Sequence, residues 1–207
     1  MIELRGERVT VRPLRPEEID RVMEDAVPAW VAWGSDPQEA RRKIRDRLER
    51  SGELTERGLD LGIEVDGRLV GDVQARIDSL PKGAFELGIG LFDERDRRQG
   101  LGREAIELVI AHLFDSLSAR RVQLSTDVAN VGMRRVAERI GFVHEGDLRA
   151  FWPEDDGDHD YAMYGMTRTD YARAHYVSAH DIEMPLDAAP DGDHDRRKEV
   201  RRWTSTS

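Results

Sequence analysis

The sequence contains no cysteine among its 207 residues. This absence excludes disulfides, a zinc–thiolate site and a cysteine nucleophile. No apolar run approaches the roughly 18 residues that a membrane-spanning helix needs. The first residues, Met-Ile-Glu-Leu-Arg, lack the apolar segment of a secretory signal. We therefore expect a cytoplasmic protein that does not engage a membrane.

Positive charge is also scarce, since 32 Lys and Arg stand against 42 Asp and Glu, giving a formal net charge of -10. This balance argues against a nucleic-acid binder, whose footprint would be basic. It favours cationic or neutral substrates. The length is that of one domain with a sizeable core. We expect the folded domain over residues 1–180 and a disordered polar tail over 186–207.

A basic glycine turn stands out against this acidic background. Residues 96–105 read Asp-Arg-Arg-Gln-Gly-Leu-Gly-Arg-Glu-Ala, after an apolar alternating run at 85–92 and before an amphipathic segment reaching about 118. A strand, a glycine turn and a helix in this order present free backbone N–H groups to an anion. On this segment alone, an anion site and an ordinary solvated turn remain equally open.

The remaining pattern predicts strands alternating with a few capped helices. A first strand or hairpin is expected at 2–13, and further strands at 59–65, 68–77, 84–92, 121–128, 142–151 and 161–167, with an acidic turn at 153–160. Helix starts are indicated at Pro16, at Asp36-Pro37, after the glycine turn, at Asn130 and at Thr169. Gly141 is typical of the residue that ends a helix.

Three features in sequence order resemble the GNAT superfamily of acyl-CoA-dependent N-acyltransferases. They are Arg97-x-x-Gly100-x-Gly102 at one helix start, Asn130 at another, and Glu-Arg-Ile-Gly-Phe at 138–142 followed by His-Glu-Gly at 144–146. Within that superfamily the chain is similar to the ribosomal-protein N-terminal acetyltransferase (RimJ/RimL-like) type, over residues 2 to about 173.

The resemblance implies an α+β fold, in which helices flank a mixed, largely antiparallel and splayed sheet. It also implies an enzyme that transfers an acetyl group from acetyl-CoA to a primary amine, on a small molecule or a peptide N-terminus. The amine would attack the thioester directly in a ternary complex, and a homodimer is one expected assembly.

The same resemblance implies a binding site for the donor. Its pantetheine would pair with the strand backbone at Ile89, Leu91 and Phe92, and Asn130 would face it, besides capping a helix. Its pyrophosphate would lie on the turn, at Arg97, Arg98, Gln99, Gly100, Leu101, Gly102 and Arg103. Nearby arginine charge and helix N–H groups both favour phosphate.

The catalytic half departs from the family pattern, because Met133, Ala137 and Trp152 occupy positions where relatives carry serine, tyrosine and glutamate. Replacement candidates are Glu86, Glu154 and Tyr164, with Glu64, Asp155, His159 and Tyr161 weighed beside them. Each also has an ordinary interpretation, as a strand-surface, loop or packing residue. The predicted acceptor pocket is lined by Trp30, Trp33 and Trp152, and no metal site is expected.

Two alternatives stay open at this point. One is an acyl-CoA-binding protein that acts as a sensor or partner without catalysis, which the three departures motivate. The other is an acyltransferase that uses another donor, such as succinyl-CoA, or that modifies antibiotics.

Overall fold

Eight strands and five α-helices make up the structure, a computed structural model that describes residues 2–32, 36–77, 80–154 and 157–175. The strands are β1 Leu4–Arg5, β2 Thr10–Arg12, β3 Gly58–Val65, β4 Arg68–Arg76, β5 Ala84–Leu91, β6 Arg121–Asp127, β7 Val143–Glu154 and β8 Gly157–Thr167. The helices are α1 Ile19–Ala32, α2 Pro37–Leu48, α3 Leu101–Ala111, α4 Val131–Ile140 and α5 Arg168–His175.

The strands form one sheet in the order β1-β2-β3-β4-β5-β6-β8-β7. Neighbouring strands run antiparallel, except that β5 and β6 are parallel. A parallel pair needs a long crossover, and α3 with its preceding loop supplies it. The α+β class and the mixed, largely antiparallel sheet expected from the sequence are confirmed.

One face of the sheet carries the main hydrophobic core. Alternation along each strand places apolar side chains such as Phe85 and Leu87 of β5 on that face. They pack against α3, α4 and α5, whose buried residues include Ile106, Ile140 and Tyr171. Residues between them in sequence, such as Glu86 and Gly88, must therefore face the other way.

The opposite face of the sheet, which we call the polar face, is covered by α1 and α2 at one end. A second apolar cluster joins these helices to Leu69 of β4 and to Phe92, just beyond β5. Arg47 of α2 also reaches Asp60 of β3, with 3.2 Å between Nε and Oδ1. The middle of this face carries polar side chains instead, among them Glu86 and Gln123, and we call this region the polar trough.

Local signals place the helix ends where the sequence predicts them. Asp36 accepts hydrogen bonds from the N–H groups of Gln38 and Glu39 at the start of α2. The Asn130 side chain accepts from Met133 N at 3.1 Å and caps α4. Gly141, with φ of +106°, ends that helix in a conformation that favours glycine.

The segment 2–13 is a hairpin of two short strands, one of the two forms predicted for it. Other predicted boundaries differ from the structure. The helix predicted to reach 118 ends as an α-helix at Ala111 and continues as a π-helical turn, His112–Ser116. The acidic turn predicted at 153–160 is shorter, because Pro153 still pairs with Asp158. The last helix is described only to His175, and the predicted tail lies outside the described residues. Within the described ranges, no helix combines the length and apolarity needed to cross a membrane.

Candidate active site

A gap opens between β5 and β6 in the middle of the sheet. The two strands pair only from Ala84 opposite Arg121 to Leu87 opposite Leu124. Beyond that point β5 continues along β4 to Leu91, while β6 continues along β8. One edge of residues 88–91 is thus left without a strand neighbour, a geometry that accepts an extended ligand through backbone hydrogen bonds.

Two glycines keep the polar face open along this gap. A β-carbon added to Gly88 would meet none of the described atoms within 4 Å. One added to Gly90 would approach only the Asp72 side chain, with Oδ1 at 3.5 Å. The splayed part of β5 therefore has room above it for a chain of ligand atoms.

The loop that follows β5 forms a cradle of backbone N–H groups. Arg98 and Gly100 both have left-handed backbone, with φ of +60° and +84°. Such alternation turns successive N–H groups toward one side. The first helical residues of α3, beginning at Leu101, also have no intrahelical acceptor for their N–H groups, and the helix dipole adds positive potential there. An anion is the natural ligand of this cradle.

Arg8 holds the cradle from the β1–β2 hairpin. Its Nη1 donates to the carbonyl of Gln99 at 2.6 Å, and its Nε donates to Glu104 Oε2 at 3.2 Å. The backbone N–H of Arg8 donates to the other oxygen of Glu104 at 2.8 Å. Sequence reasoning missed Arg8, because nothing local marks an arginine whose partners lie more than 90 residues away.

A second ion pair anchors the other end of the loop. Asp96 is buried and receives two hydrogen bonds from Arg68 of β4, at 2.7 and 2.9 Å. These bonds hold the pKa of the Asp96 carboxyl below its usual value. The loop is therefore fixed before any ligand binds, which lowers the entropic cost of binding.

We expect Arg8→Ala to weaken acetyl-CoA binding about tenfold, because the cradle would lose its hydrogen bond to the Gln99 carbonyl. Isothermal titration of acetyl-CoA into the purified variant measures this. The matched control is Arg5→Ala, on the same hairpin, whose side chain is 77% exposed and pairs only with Glu3 among the recorded contacts. Equal affinity in Arg8→Ala and Arg5→Ala would contradict the anchoring role.

The other residues predicted to bind the donor lie around the gap and the cradle. Arg97 donates to the carbonyl of Leu91 at 3.2 Å and so joins the cradle to the end of β5. Gly102 lies beside the same strand, since an added β-carbon would be 3.7 Å from Ile89 and 3.8 Å from Leu91. The Arg98 side chain is 88% exposed. Gln99 Nε2 donates to the Arg95 carbonyl, and Arg103 donates to Glu107. The Arg21 guanidinium lies over the Phe92 ring.

Glu86 lies on the polar face at the base of the gap. Both of its oxygens are held, one by Arg76 Nη2 at 2.5 Å and the other by Gln123 Nε2 at 3.0 Å. The structure thus brings this predicted residue to the site. Both of its oxygens are therefore taken up by donors on the neighbouring strands β4 and β6.

Asp72 is a carboxylate at the gap that sequence reasoning missed. It pairs in register with Gly90 and accepts from the Gln74 amide at 3.1 Å. Burial raises the pKa of Asp72 to about 6, against the lowering effect of the Gln74 hydrogen bond. The available signal was an aspartate inside a predicted strand, where this residue type is disfavoured.

His159 lies across the gap, on β8 rather than on the acidic turn where the sequence placed it. Its Nδ1 is 2.5 Å from Asp127 Oδ2, and that contact lowers the pKa of the Asp127 carboxyl. Trp152 is its cross-strand neighbour and stacks on Tyr161, with ring centroids 5.5 Å apart. The side chains of the other predicted residues, Trp30, Trp33, Glu154 and Asp155, lie outside the described residues.

Tyr164 is not brought to the gap. Its side chain is fully buried on the core face, where alternation places it with Ala162 and Met166. The hydroxyl donates to Glu138 Oε1 at 3.0 Å and accepts from Arg134 Nε at 3.2 Å, both on α4. The structure therefore favours a packing role for Tyr164 over the proton donor considered from the sequence.

We expect Tyr164→Phe to lower the free energy of unfolding by about 1–2 kcal/mol, because Glu138 and Arg134 lose a buried partner. The maximal acetylation rate should change less than about threefold, since the hydroxyl lies under α4. Urea denaturation and steady-state kinetics measure the two effects. A 100-fold loss of rate with unchanged stability would restore Tyr164 as the acid.

The family follows from a comparison with known proteins. Residues 8–143 match the family described as Acetyltransferase (GNAT) domain. The match covers more than half of the chain, so the chain belongs to the GNAT acetyltransferases and is an acyltransferase.

Individual relatives agree with the ribosomal N-terminal type expected from the sequence. A Bacillus subtilis (strain 168) protein named putative ribosomal N-acetyltransferase YdaF is 26% identical over 177 residues, which is 80% of this chain and 94% of that protein. A crystal structure of a probable acetyltransferase is 25% identical, with a TM-score of 0.66 over 82% of this chain and 99% of that one.

The fold is shared with an enzyme bound to its cofactor. The structure described as RimL, ribosomal L7/L12 alpha-N-protein acetyltransferase, in complex with coenzyme A is 18% identical, with a TM-score of 0.64 over 80% of this chain and 98% of that one. The resemblance to the GNAT superfamily and to its RimJ/RimL-like type is confirmed.

Proposed function

We propose that this protein transfers the acetyl group of acetyl-CoA to a primary amine, on a small molecule or a peptide N-terminus, by direct attack in a ternary complex. The observation that carries the proposal is the gap between β5 and β6, which leads straight into the N–H cradle at the start of α3. A donor with an extended amide arm and a pyrophosphate matches both parts.

The donor would lie with its pantetheine along β5 and its pyrophosphate in the cradle. Pantetheine amides would pair with backbone groups of Ile89 and Leu91, whose side chains pack against the core and leave the strand edge open. The pyrophosphate would accept from N–H groups between Arg98 and Arg103. Asn130, at the start of α4, would face the arm from the other side of the gap.

In the reaction, the neutral amine nitrogen attacks the thioester carbonyl from the polar face. A C–N bond forms, the C–S bond breaks, and the amine proton passes to a base on the protein. Backbone N–H groups at the gap would stabilise the charge that develops on the carbonyl oxygen. The thiolate can leave without a protein acid and take a proton from water, which suits Met133 and Ala137 at the positions where relatives carry proton donors.

The acceptor would enter over the polar face between α1 and the β7–β8 hairpin. Trp152 and His159 lie on the hairpin side of this trough. Carboxylates along the trough, with the net charge of -10, favour an amine that arrives as a cation. We place this activity in the cytoplasm and in the domain at 1–180.

Thiol release tests the proposal. Acetyl-CoA is incubated with the protein and a panel of small amines, peptides with free N-termini and aminoglycosides, with succinyl-CoA as the competing donor. We expect thiol release that requires both acetyl-CoA and an amine, with the acetylated amine seen by mass spectrometry. Tight donor binding without turnover on any acceptor would overturn the proposal in favour of a non-catalytic acyl-CoA-binding protein. Faster release from succinyl-CoA would overturn the choice of donor.

A further inference from the structure

The carboxylate of Asp72 lies next to residues 88–91, the part of β5 that borders the gap. Asp72 is directly opposite Gly90, and adjacent strands lie about 4.8 Å apart. Its Oδ1 comes within 3.5 Å of the place where a β-carbon of Gly90 would be. Because glycine has no side chain, the carboxylate oxygen reaches the space above the strand edge where the proposed donor lies.

Asp72 differs from the other described carboxylates near the gap in the kind of side chain that contacts it. Glu86 is bonded to Arg76, Asp60 pairs with Arg47, and Asp127 contacts His159. The recorded hydrogen bond of Asp72 comes instead from a neutral amide, that of Gln74. Burial raises the pKa of Asp60 as well, but its partner is the Arg47 guanidinium, which already balances its charge. Asp72, whose partner is a neutral amide, can instead balance the charge of an incoming ammonium ion and accept its proton.

We propose that Asp72 is the general base that takes the proton from the acceptor amine, an inference that rests on the proposed acetyl transfer. The acceptor enters as an ammonium ion over the polar face. One N–H proton moves to an Asp72 oxygen, and the freed lone pair attacks the thioester carbonyl. The thiolate leaves as the C–S bond breaks and takes up the second proton that the nitrogen loses, directly or through water. The proton on Asp72 returns to solvent before the next turnover.

Charged groups from three other elements face Asp72 and set its proton affinity. Asp60 of β3 and Asp25 of α1 raise its pKa, while Arg47 of α2 lowers it. Burial has the largest effect, and the pKa of Asp72 lies at about 6. The base is therefore ionised at neutral pH, and it would be lost as the pH falls through about 6.

Asp72→Asn should fold, because the asparagine carbonyl can still accept from Gln74. The folded protein holds a proton on Asp72 more tightly than the unfolded chain does, since its folded pKa is raised from 3.8 to about 6. Ionised Asp72 thus opposes folding above that range, and its neutral replacement relieves this. A melting temperature at or above that of the wild type would establish that the fold survives. An acetyl-CoA dissociation constant unchanged within about twofold would establish that the donor site survives.

The decisive measurement is the pH dependence of kcat/KM for the most active amine in the thiol-release panel. We expect a wild-type acid limb near pH 6. Asp72→Asn should lose about 100-fold at pH 7. The acid limb of the variant should move up to the pKa of the amine itself, about 8 for an α-amine. The difference in kcat/KM between the variant and the wild type should therefore shrink as the pH rises. Glu24→Gln, an exposed carboxylate on α1, should match the wild type throughout.

The outcomes separate this inference from the function on which it rests. Suppose that the wild-type protein turns over and that Asp72→Asn loses the same factor in kcat/KM at every pH, or loses nothing. Either result would contradict the role of Asp72 as general base and leave the proposed acetyl transfer intact. The same conclusion would follow if Glu86→Gln, rather than Asp72→Asn, moved the acid limb. Donor binding without turnover by the wild-type protein would overturn both.

Discussion

Gly102→Val will fold and lose about 100-fold in affinity for acetyl-CoA, because the valine side chain would fill the space in which phosphate oxygens meet the N–H groups of α3. Hydrogen bonds to a charged group contribute about 1.5–3 kcal/mol each. Losing one or two of them corresponds to roughly that factor. The protein itself tolerates a β-carbon here, since the nearest side-chain atoms, of Ile89 and Leu91, lie at ordinary contact distances of 3.7 and 3.8 Å.

Isothermal titration with acetyl-CoA and with coenzyme A measures the loss. The matched control is Gln38→Val, which places valine at the second residue of α2, an equivalent helix position. Gly100→Val is a poorer test, although it should also lose donor binding, because φ at Gly100 is +84° and the added carbon would be 3.0 Å from Arg8 Nη2. Unchanged affinity in a folded Gly102→Val would remove the pyrophosphate from this cradle.

Arg12→Ala will lower the free energy of unfolding by about 3–5 kcal/mol, the usual cost of removing one partner from a buried ion pair. Arg12 is buried and donates to Glu64 at 2.6 and 2.9 Å and to Glu18 at 2.7 and 2.8 Å. Without it, two largely covered carboxylates face each other with only Arg15 as a shared cation. Urea denaturation at pH 7 measures the change.

The pH dependence of stability gives an independent check on the same cluster. Burial raises the pKa of Glu18, but hydrogen bonds from Arg12 and Arg15 outweigh it, so the net shift is downward. The Arg12 hydrogen bond also lowers the pKa of Glu64. Groups with lowered folded pKa values stabilise the protein above their unfolded value of 4.5, and this contribution is lost as the pH falls below it.

The wild type should therefore lose stability steeply in acid, and Arg12→Ala should lose less over the same interval. The matched control, Arg42→Ala, removes an exposed pair with Asp46 and should cost no more than about 0.5 kcal/mol. A loss below about 1 kcal/mol in Arg12→Ala would show that the buried cluster contributes little.

The glycine turn before α3 and the two ends of α4 could be predicted because their signals are local. Gly100 and Gly102 are needed where the chain turns sharply into α3, and Asn130 and Gly141 mark the two ends of α4. Each of these residues acts on backbone within a few positions of itself. A pattern in the sequence is then sufficient to predict the structure, and the strand that precedes the loop follows from its alternation.

The arrangement of side chains on the polar face could not be predicted, because it depends on tertiary contacts. Tyr164 and His159 belong to the same strand, yet only register and alternation put one in the core and the other on the polar face. The sequence marks Asp72 only as an aspartate inside a strand, whereas its place at the gap follows from its position opposite Gly90 and near Asp25 of α1. Such proximity across the sheet leaves no periodic trace in the sequence.

The short parallel seam between β5 and β6 has a consequence for how the chain folds. Strands β3 to β5 pair in chain order through short connections, so their contacts form early at low cost in loop entropy. The seam instead joins residues about 37 positions apart through only four paired positions on each strand. We expect it to close late and to exchange its amide hydrogens sooner than the β3–β4 hairpin does. A bound donor that contacts the protein on both sides of the gap would hold β5 and β6 together and slow that exchange.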